Sequence, residues 1–136
     1  MALTWQPSTL ELKRVAGLAY EQQVIKVALC TVGSSGLTAE SSVSNWLTRE
    51  ITGNGYSRFS VTTAVGAYDV TDARYEVPFI DVSFSATTGG SGFSYDRVAV
   101  YVDGATNLIR LGVEDSSQAI LPGQSKTWRI QLGTSV

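Results

Sequence analysis

Histidine is absent from the 136 residues of this chain. That removes the usual general base and the commonest metal ligand. Cysteine occurs once, at Cys30, so no disulfide can close within the chain and no Cys–His nucleophile can form. Cys30 lies in an apolar run and reads as a small buried filler, in a fold suited to a reducing compartment or resting on a robust core. Charged residues make up only 16%, the net charge is −2, and no long basic block occurs. Wholesale neutralisation of nucleic-acid phosphates is therefore not expected, and no specific nucleic-acid partner is assigned. No apolar run approaches the roughly 20 residues of a membrane helix. Met1–Pro7 carries neither a basic nor an apolar leader region, so neither export nor a membrane partner is expected.

What the chain does contain is Ser, Thr, Gly and β-branched residues in short alternating runs. One domain, residues 1–136, is long enough for its own core. Its first segment, residues 1–22, reads as an N-terminal arm with a short helix. Ser8-Thr9-Leu10-Glu11 has the capping-box pattern, followed by Leu12, Val15, Ala16 and Ala19 at helical spacing. The alternation of Leu10 and Leu12 with Glu11 and Lys13 supports a strand as the rival. From Gln23 to Val32 the period becomes two, with Ile25, Val27, Leu29 and Thr31 on one side and Lys26, Ala28 and Cys30 on the other. Thr38–Leu47 reads either as loop or as one short helix carrying Val43, Trp46 and Leu47.

Six further strand-like runs follow: Tyr56–Ala64, Tyr75–Val77, Phe79–Thr87, Tyr95–Asp103, Leu108–Glu114 and Lys126–Leu132. The sharpest alternations are Ile80/Val82/Phe84/Ala86, Val98/Val100/Val102, Ile109/Leu111/Val113 and Trp128/Ile130/Leu132. Asp103-Gly104 and Pro122-Gly123 supply turn chemistry, and the cluster Glu114-Asp115-Ser116-Ser117 reads as a turn after a strand. The expected fold is all-β: a single antiparallel β-sandwich, the jelly roll being one form it could take, with a short N-terminal helical element.

Each signal for chemistry has a structural competitor. Gly53-Asn54-Gly55 could cradle a phosphate, but such a loop needs a helix after it and the residues that follow alternate as a strand. The turn is the better reading, with Gly55 the residue that needs positive φ. Asp69, Asp72, Glu76 and Asp81 lack the spacing of a calcium loop, and nothing sets two of them at a glycosidase separation. They read as turn and edge carboxylates. Trp46 with Tyr56, Tyr68, Tyr75, Tyr95 and Tyr101 could line a sugar-binding face, though amphipathic strands place aromatics in cores anyway. No catalytic residue, cofactor or metal is expected, and the chain is not read as an enzyme.

The order of the motifs is more specific than any one of them. "VIKVALCTV" (Val24–Val32) is followed by a loop of small residues and "EITGNGYSRFSV" (Glu50–Val61). Then come "VSFSAT" (Val82–Thr87), "FSYDRVAVYVDG" (Phe93–Gly104) and "ILPGQSKTWRIQL" (Ile120–Leu132). This order resembles a family of small virion structural proteins of tailed bacteriophages, tail-fibre-like or head-decoration-like β-sandwich proteins common in phages of cyanobacteria. The resemblance implies a non-enzymatic virion component, made in the host cytoplasm. It would dock in many copies on the capsid, as decoration or cement, or on the tail or neck, with other virion proteins as partners and homo-oligomers expected. The alternative is a carbohydrate- or receptor-binding adhesion module of a phage tail. The candidate interface residues are Leu3 and Trp5, apolar side chains near the N-terminus with no evident secondary structure around them, and Arg58, placed to pair with a carboxylate of its own or a neighbouring subunit.

Overall fold

The computed structural model describes residues 3–7, 23–63, 67–69, 74–76 and 80–130. The expected N-terminal helix, and with it Ser8–Ala19, lies outside them. The strands are β1 (Thr4–Pro7), β2 (Val24–Cys30), β3 (Phe59–Thr62), β4 (Ala67–Asp69), β5 (Arg74–Glu76), β6 (Ile80–Ser85), β7 (Phe93–Val102), β8 (Arg110–Ile120) and β9 (Ser125–Ile130), with one described helix, α1 (Val43–Leu47). All pairings are antiparallel. Five strands form a sheet in the order β1-β8-β7-β2-β3, while β4 pairs with β5 and β6 with β9. The all-β expectation holds.

The alternating residues explain the packing. Ile25, Val27 and Leu29 of β2 and Val98 and Val100 of β7 point to one face of the large sheet. There they meet Ile80, Val82 and Phe84 of β6 and Ile130 of β9 in one buried cluster. The β6–β9 pair thus covers that face in sandwich-like packing, and its other side is solvent-exposed. The opposite face of the large sheet is buried as well. Ala28, Cys30, Ala99, Tyr101 and Leu111 lie under Val43 and Trp46 of α1 and under Leu108. Burial on both faces is why β2 and the middle of β7 read as nearly continuous apolar runs.

Helix α1 has five residues, too few to persist alone. Ser42 caps it by accepting from the Asn45 N–H at 3.2 Å. Val43 and Trp46, three apart, point down to the sheet, and the Trp46 indole N–H donates to the Thr38 carbonyl at 2.9 Å. Of the two readings of Thr38–Leu47, the helix over Val43–Leu47 is the one formed. Cys30 is fully buried beneath it, with its Sγ 3.5 Å from the Trp46 carbonyl. Burial, reinforced by the Glu50 charge, pushes the thiol pKa up from 9.0 to about 12. Cys30 should therefore resist Ellman's reagent in the native protein at mildly alkaline pH and react at once in denaturant. Rapid labelling of the native state would show that α1 does not seal the sheet.

Three expectations are corrected. Glu114–Ser117 is not a turn but part of β8. Tyr95 pairs with Gln118 and Arg97 with Val113, so four residues of β8 face one residue, Asp96, on β7. Turn-like composition here marks a bulge. The bulge also resets the phase of β7, so that Phe93 and Tyr95 share a face with Val98 and Val100. Asp96 is used: its carboxylate accepts the Val32 N–H at 2.9 Å. The second correction concerns Ile109, Leu111 and Val113, which do not share a face. Ile109 lies in the cluster under β6–β9, whereas Leu111 and Val113 belong to the cluster under α1, because β8 begins only at Arg110. Third, the segment around Leu3 and Trp5 is not without secondary structure. It forms β1, paired along β8 from Thr4↔Val113 to Pro7↔Arg110.

Candidate binding site

Residues Arg49–Ile51 and β3 lie along the same edge of β2, separated by the excursion through Gly53-Asn54-Gly55. Cys30 bridges to Glu50, and the Ile51 N–H donates to the Leu29 carbonyl at 3.0 Å. Farther along, Val24–Val27 pair with Phe59–Thr62. The excursion takes away the strand partner of the Leu29 amide. Tyr56 replaces it: the Leu29 N–H donates to Tyr56 Oη at 3.1 Å, and the Tyr56 O–H donates onward to Glu50 Oε2 at 2.6 Å. Arg58 closes the set with Nε on Glu50 Oε2 at 2.9 Å and Nη2 on Oε1 at 2.5 Å.

The Glu50 side chain is 13% exposed and that of Arg58 36%. Burial alone would raise the Glu50 pKa, but the hydrogen bonds from Arg58 and Tyr56 outweigh it and hold the carboxyl below its ordinary range. The sign follows from that direction. Glu50 stabilises the fold at pH values above the ordinary carboxylate range, and the contribution is lost as pH falls through the depressed pKa. Tyr56→Phe leaves a buried amide without an acceptor and Glu50 short of one donor, so we expect a loss of about 1–3 kcal/mol in urea unfolding near neutral pH. Glu50→Gln should show a deficit near neutrality that fades in acid. A deficit that persists undiminished in acid would rule out the charge as its source.

The Gly-Asn-Gly stretch is a turn. Gly53, Asn54 and Gly55 all have positive φ, at 86°, 54° and 84°, so the expectation for Gly55 holds and extends to its neighbours. The turn docks on the other glycine-rich stretch: Asn54 O accepts from the Thr87 N–H at 3.0 Å and Asn54 Oδ1 from the Ser91 N–H at 3.2 Å. A Cβ on Gly55 would collide with the Thr87 hydroxyl. The turn docks through its oxygens, as an acceptor of amide N–H groups, the reverse of a phosphate cradle.

Beside the ion pair runs an open groove of about 330 Å³, walled by Val43 and Leu47 of α1 and by Arg58, Tyr101, Asp103 and Thr106. Tyr101 is 2% exposed, and its hydroxyl lies beside Arg58 without a hydrogen bond of good geometry among the described residues. Burial raises its pKa, so it stays a neutral phenol.

Of the residues singled out from sequence, Arg58 does pair with a carboxylate, that of Glu50 in its own chain. Leu3 and Trp5 are partly buried against the core beneath β6–β9, with Arg110 5.8 Å from the Trp5 ring centre. Gly112, the strand partner of Trp5, leaves room for it: a Cβ there would stand 3.0 Å from the Trp5 ring. Trp5 folds back over its own sheet in this chain. Asp81 forms an ion pair with Arg129 at 2.9 Å, Asp69 and Glu76 lie on the β4–β5 hairpin, and Asp72 falls outside the described residues. The four of these aromatics whose side chains are described, Trp46, Tyr56, Tyr95 and Tyr101, do not assemble into one sugar-binding face. Trp46 of α1 packs with Tyr101 on one face of the sheet, whereas Tyr56 and Tyr95 belong to the core on the other. The sequence reading missed Glu50 and the groove. Glu50 carried a weak signal, eight residues before Arg58, but the approach of α1 to the β7–β8 connection carried none. The chain matches no protein-family model, no curated protein and no solved structure.

Proposed function

We propose that this protein is a non-enzymatic structural component of a tailed-phage virion that docks in many copies on the capsid, tail or neck. The observation that carries the reading is the exposed face of the β6–β9 pair. Ser85 and Ser125 stand opposite each other with their hydroxyl oxygens 2.6 Å apart, Thr127 donates to Ser83 at 3.3 Å, and Arg129 pairs with Asp81 at one end. The four hydroxyl side chains are short, and all six groups are already engaged with one another. A surface of this kind loses little rotamer freedom when another protein covers it. It offers weak contacts individually, which suits repeated docking where many linked copies add avidity. The order of motifs along the chain supports the same assignment.

The test is to purify particles from a producing host, measure copies per particle by quantitative mass spectrometry and locate the protein by cryo-electron microscopy. The expected result is many copies in a symmetric array, with the β6–β9 face against a neighbouring subunit. Thr127→Glu, which puts a desolvation cost into that face, should lower occupancy without changing the fold. Absence of the protein from purified particles would end the virion reading, and unchanged occupancy in the variant would end the assignment of the docking face.

A further inference from the structure

We propose that the groove between α1 and the β7–β8 connection binds a neutral hexopyranose, held by its hydroxyls to Asp103, Tyr101 and Arg58 and by its C–H face to Val43 and Leu47. The inference rests on the local chemistry and not on the virion assignment.

Charge narrows the ligand class. The Arg58 guanidinium is neutralised by Glu50, which occupies two of its three nitrogens. The Asp103 carboxylate is exposed and makes no side-chain hydrogen bond within the described residues. The walls therefore carry no net positive charge to draw an anion. They carry unused polar capacity of both kinds: the third nitrogen of Arg58 as donor, the Asp103 carboxylate as acceptor, and the Tyr101 and Thr106 hydroxyls as either. Between these groups lie aliphatic surfaces of Val43 and Leu47. A ring with hydroxyls on its rim and C–H groups on its face matches that alternation. The groove volume of about 330 Å³ is at the small end for an organic ligand.

The buried Tyr101 hydroxyl is the second observation. A buried donor without a partner is costly to keep, and it sits at the wall of this groove. A ligand hydroxyl would supply the missing partner after a small movement of Arg58, the more exposed member of its ion pair.

The test is a titration of the full chain, labelled with nitrogen-15, with D-glucose, D-galactose, D-mannose and N-acetyl-D-glucosamine, each to about 50 mM, enough to fill a millimolar site. At least one sugar should shift amide resonances of residues 43–47 and 103–106 in a saturable way. Asp103→Ala, at an exposed turn, should weaken that sugar about tenfold, the equivalent of one lost hydrogen bond. Tyr101→Phe should weaken it too while leaving the melting temperature nearly unchanged, since the hydroxyl makes no well-formed hydrogen bond among the described residues. The proposal fails if no sugar shifts those resonances, if both variants bind as the parent does, or if choline shifts them and no sugar does, which would make the groove a cation site.

Discussion

Phe84→Ala should destabilise the protein by about 3–5 kcal/mol, the range for removing a buried aromatic ring and leaving a cavity. Phe84 is 3% exposed at the centre of the layer between the two sheets. Its ring stacks on Tyr56 at 5.9 Å and meets Trp128 at 5.9 Å and Phe59 at 6.5 Å, both edge-on. These neighbours come from two separate stretches of chain: Tyr56 and Phe59 at the entry to β3, and Trp128 on β9. Because aromatic rings are stiff and the surrounding strands are hydrogen-bonded, the site has little means of collapsing into the space left behind. Urea unfolding of variant and parent measures the difference. A loss near zero would mean that β6 does not pack on the large sheet.

Trp46→Ala should cost a similar amount, about 3–5 kcal/mol, from the opposite face of the sheet. Trp46 is fully buried over Ala28, Cys30 and Tyr101. It is the main anchor of a helix too short to hold itself, and its N–H satisfies the Thr38 carbonyl. The variant therefore removes packing, a hydrogen bond and the cover over Cys30 together. A second readout follows: Cys30, protected in the parent, should become reactive to thiol reagents under native conditions. Trp46→Phe separates the terms, since it keeps most of the apolar volume and loses the hydrogen bond, and it should cost less and leave Cys30 protected. If Trp46→Ala loses stability and Cys30 stays unreactive, the segment between β2 and β3 closes over the sheet without help from the indole.

The two variants probe faces that differ in how they arise. The inner face is built largely from period-two alternation within β2, β6 and β7, with the bulge bringing Phe93 and Tyr95 into phase with Val98 and Val100. The outer face is built by the chain between β2 and β3, which returns over the sheet as loop, α1 and the Glu50 edge segment. The same return places Arg58 beside Tyr101 and Asp103 around one groove, although Arg58 lies far from that pair in sequence.

The amino-acid sequence by itself determined that this is an all-β domain, because alternation of apolar and polar residues suits a pleated strand with one face buried and no other regular structure. It also determined the turn at Gly53-Asn54-Gly55 and the breaks at Asp103-Gly104 and Pro122-Gly123, since backbone preference is a property of the residues themselves. The strand between Gln23 and Val32 was readable for the same reason. Only the tertiary structure decided the strand order β1-β8-β7-β2-β3 and the pairing of β6 with β9, because partners distant in sequence are chosen by total burial and not by local pattern. It decided that Thr4–Pro7 is an edge strand, whose four residues are too few to show a period and are held by β8 and by the space above Gly112. It turned Glu114–Ser117 from an apparent turn into a bulge, since the same polar composition serves either and only the partner strand distinguishes them. The Glu50–Tyr56–Arg58 network likewise follows from one unpaired amide on β2. The need for an acceptor at Leu29 exists only once the strands on either side of the excursion have been placed.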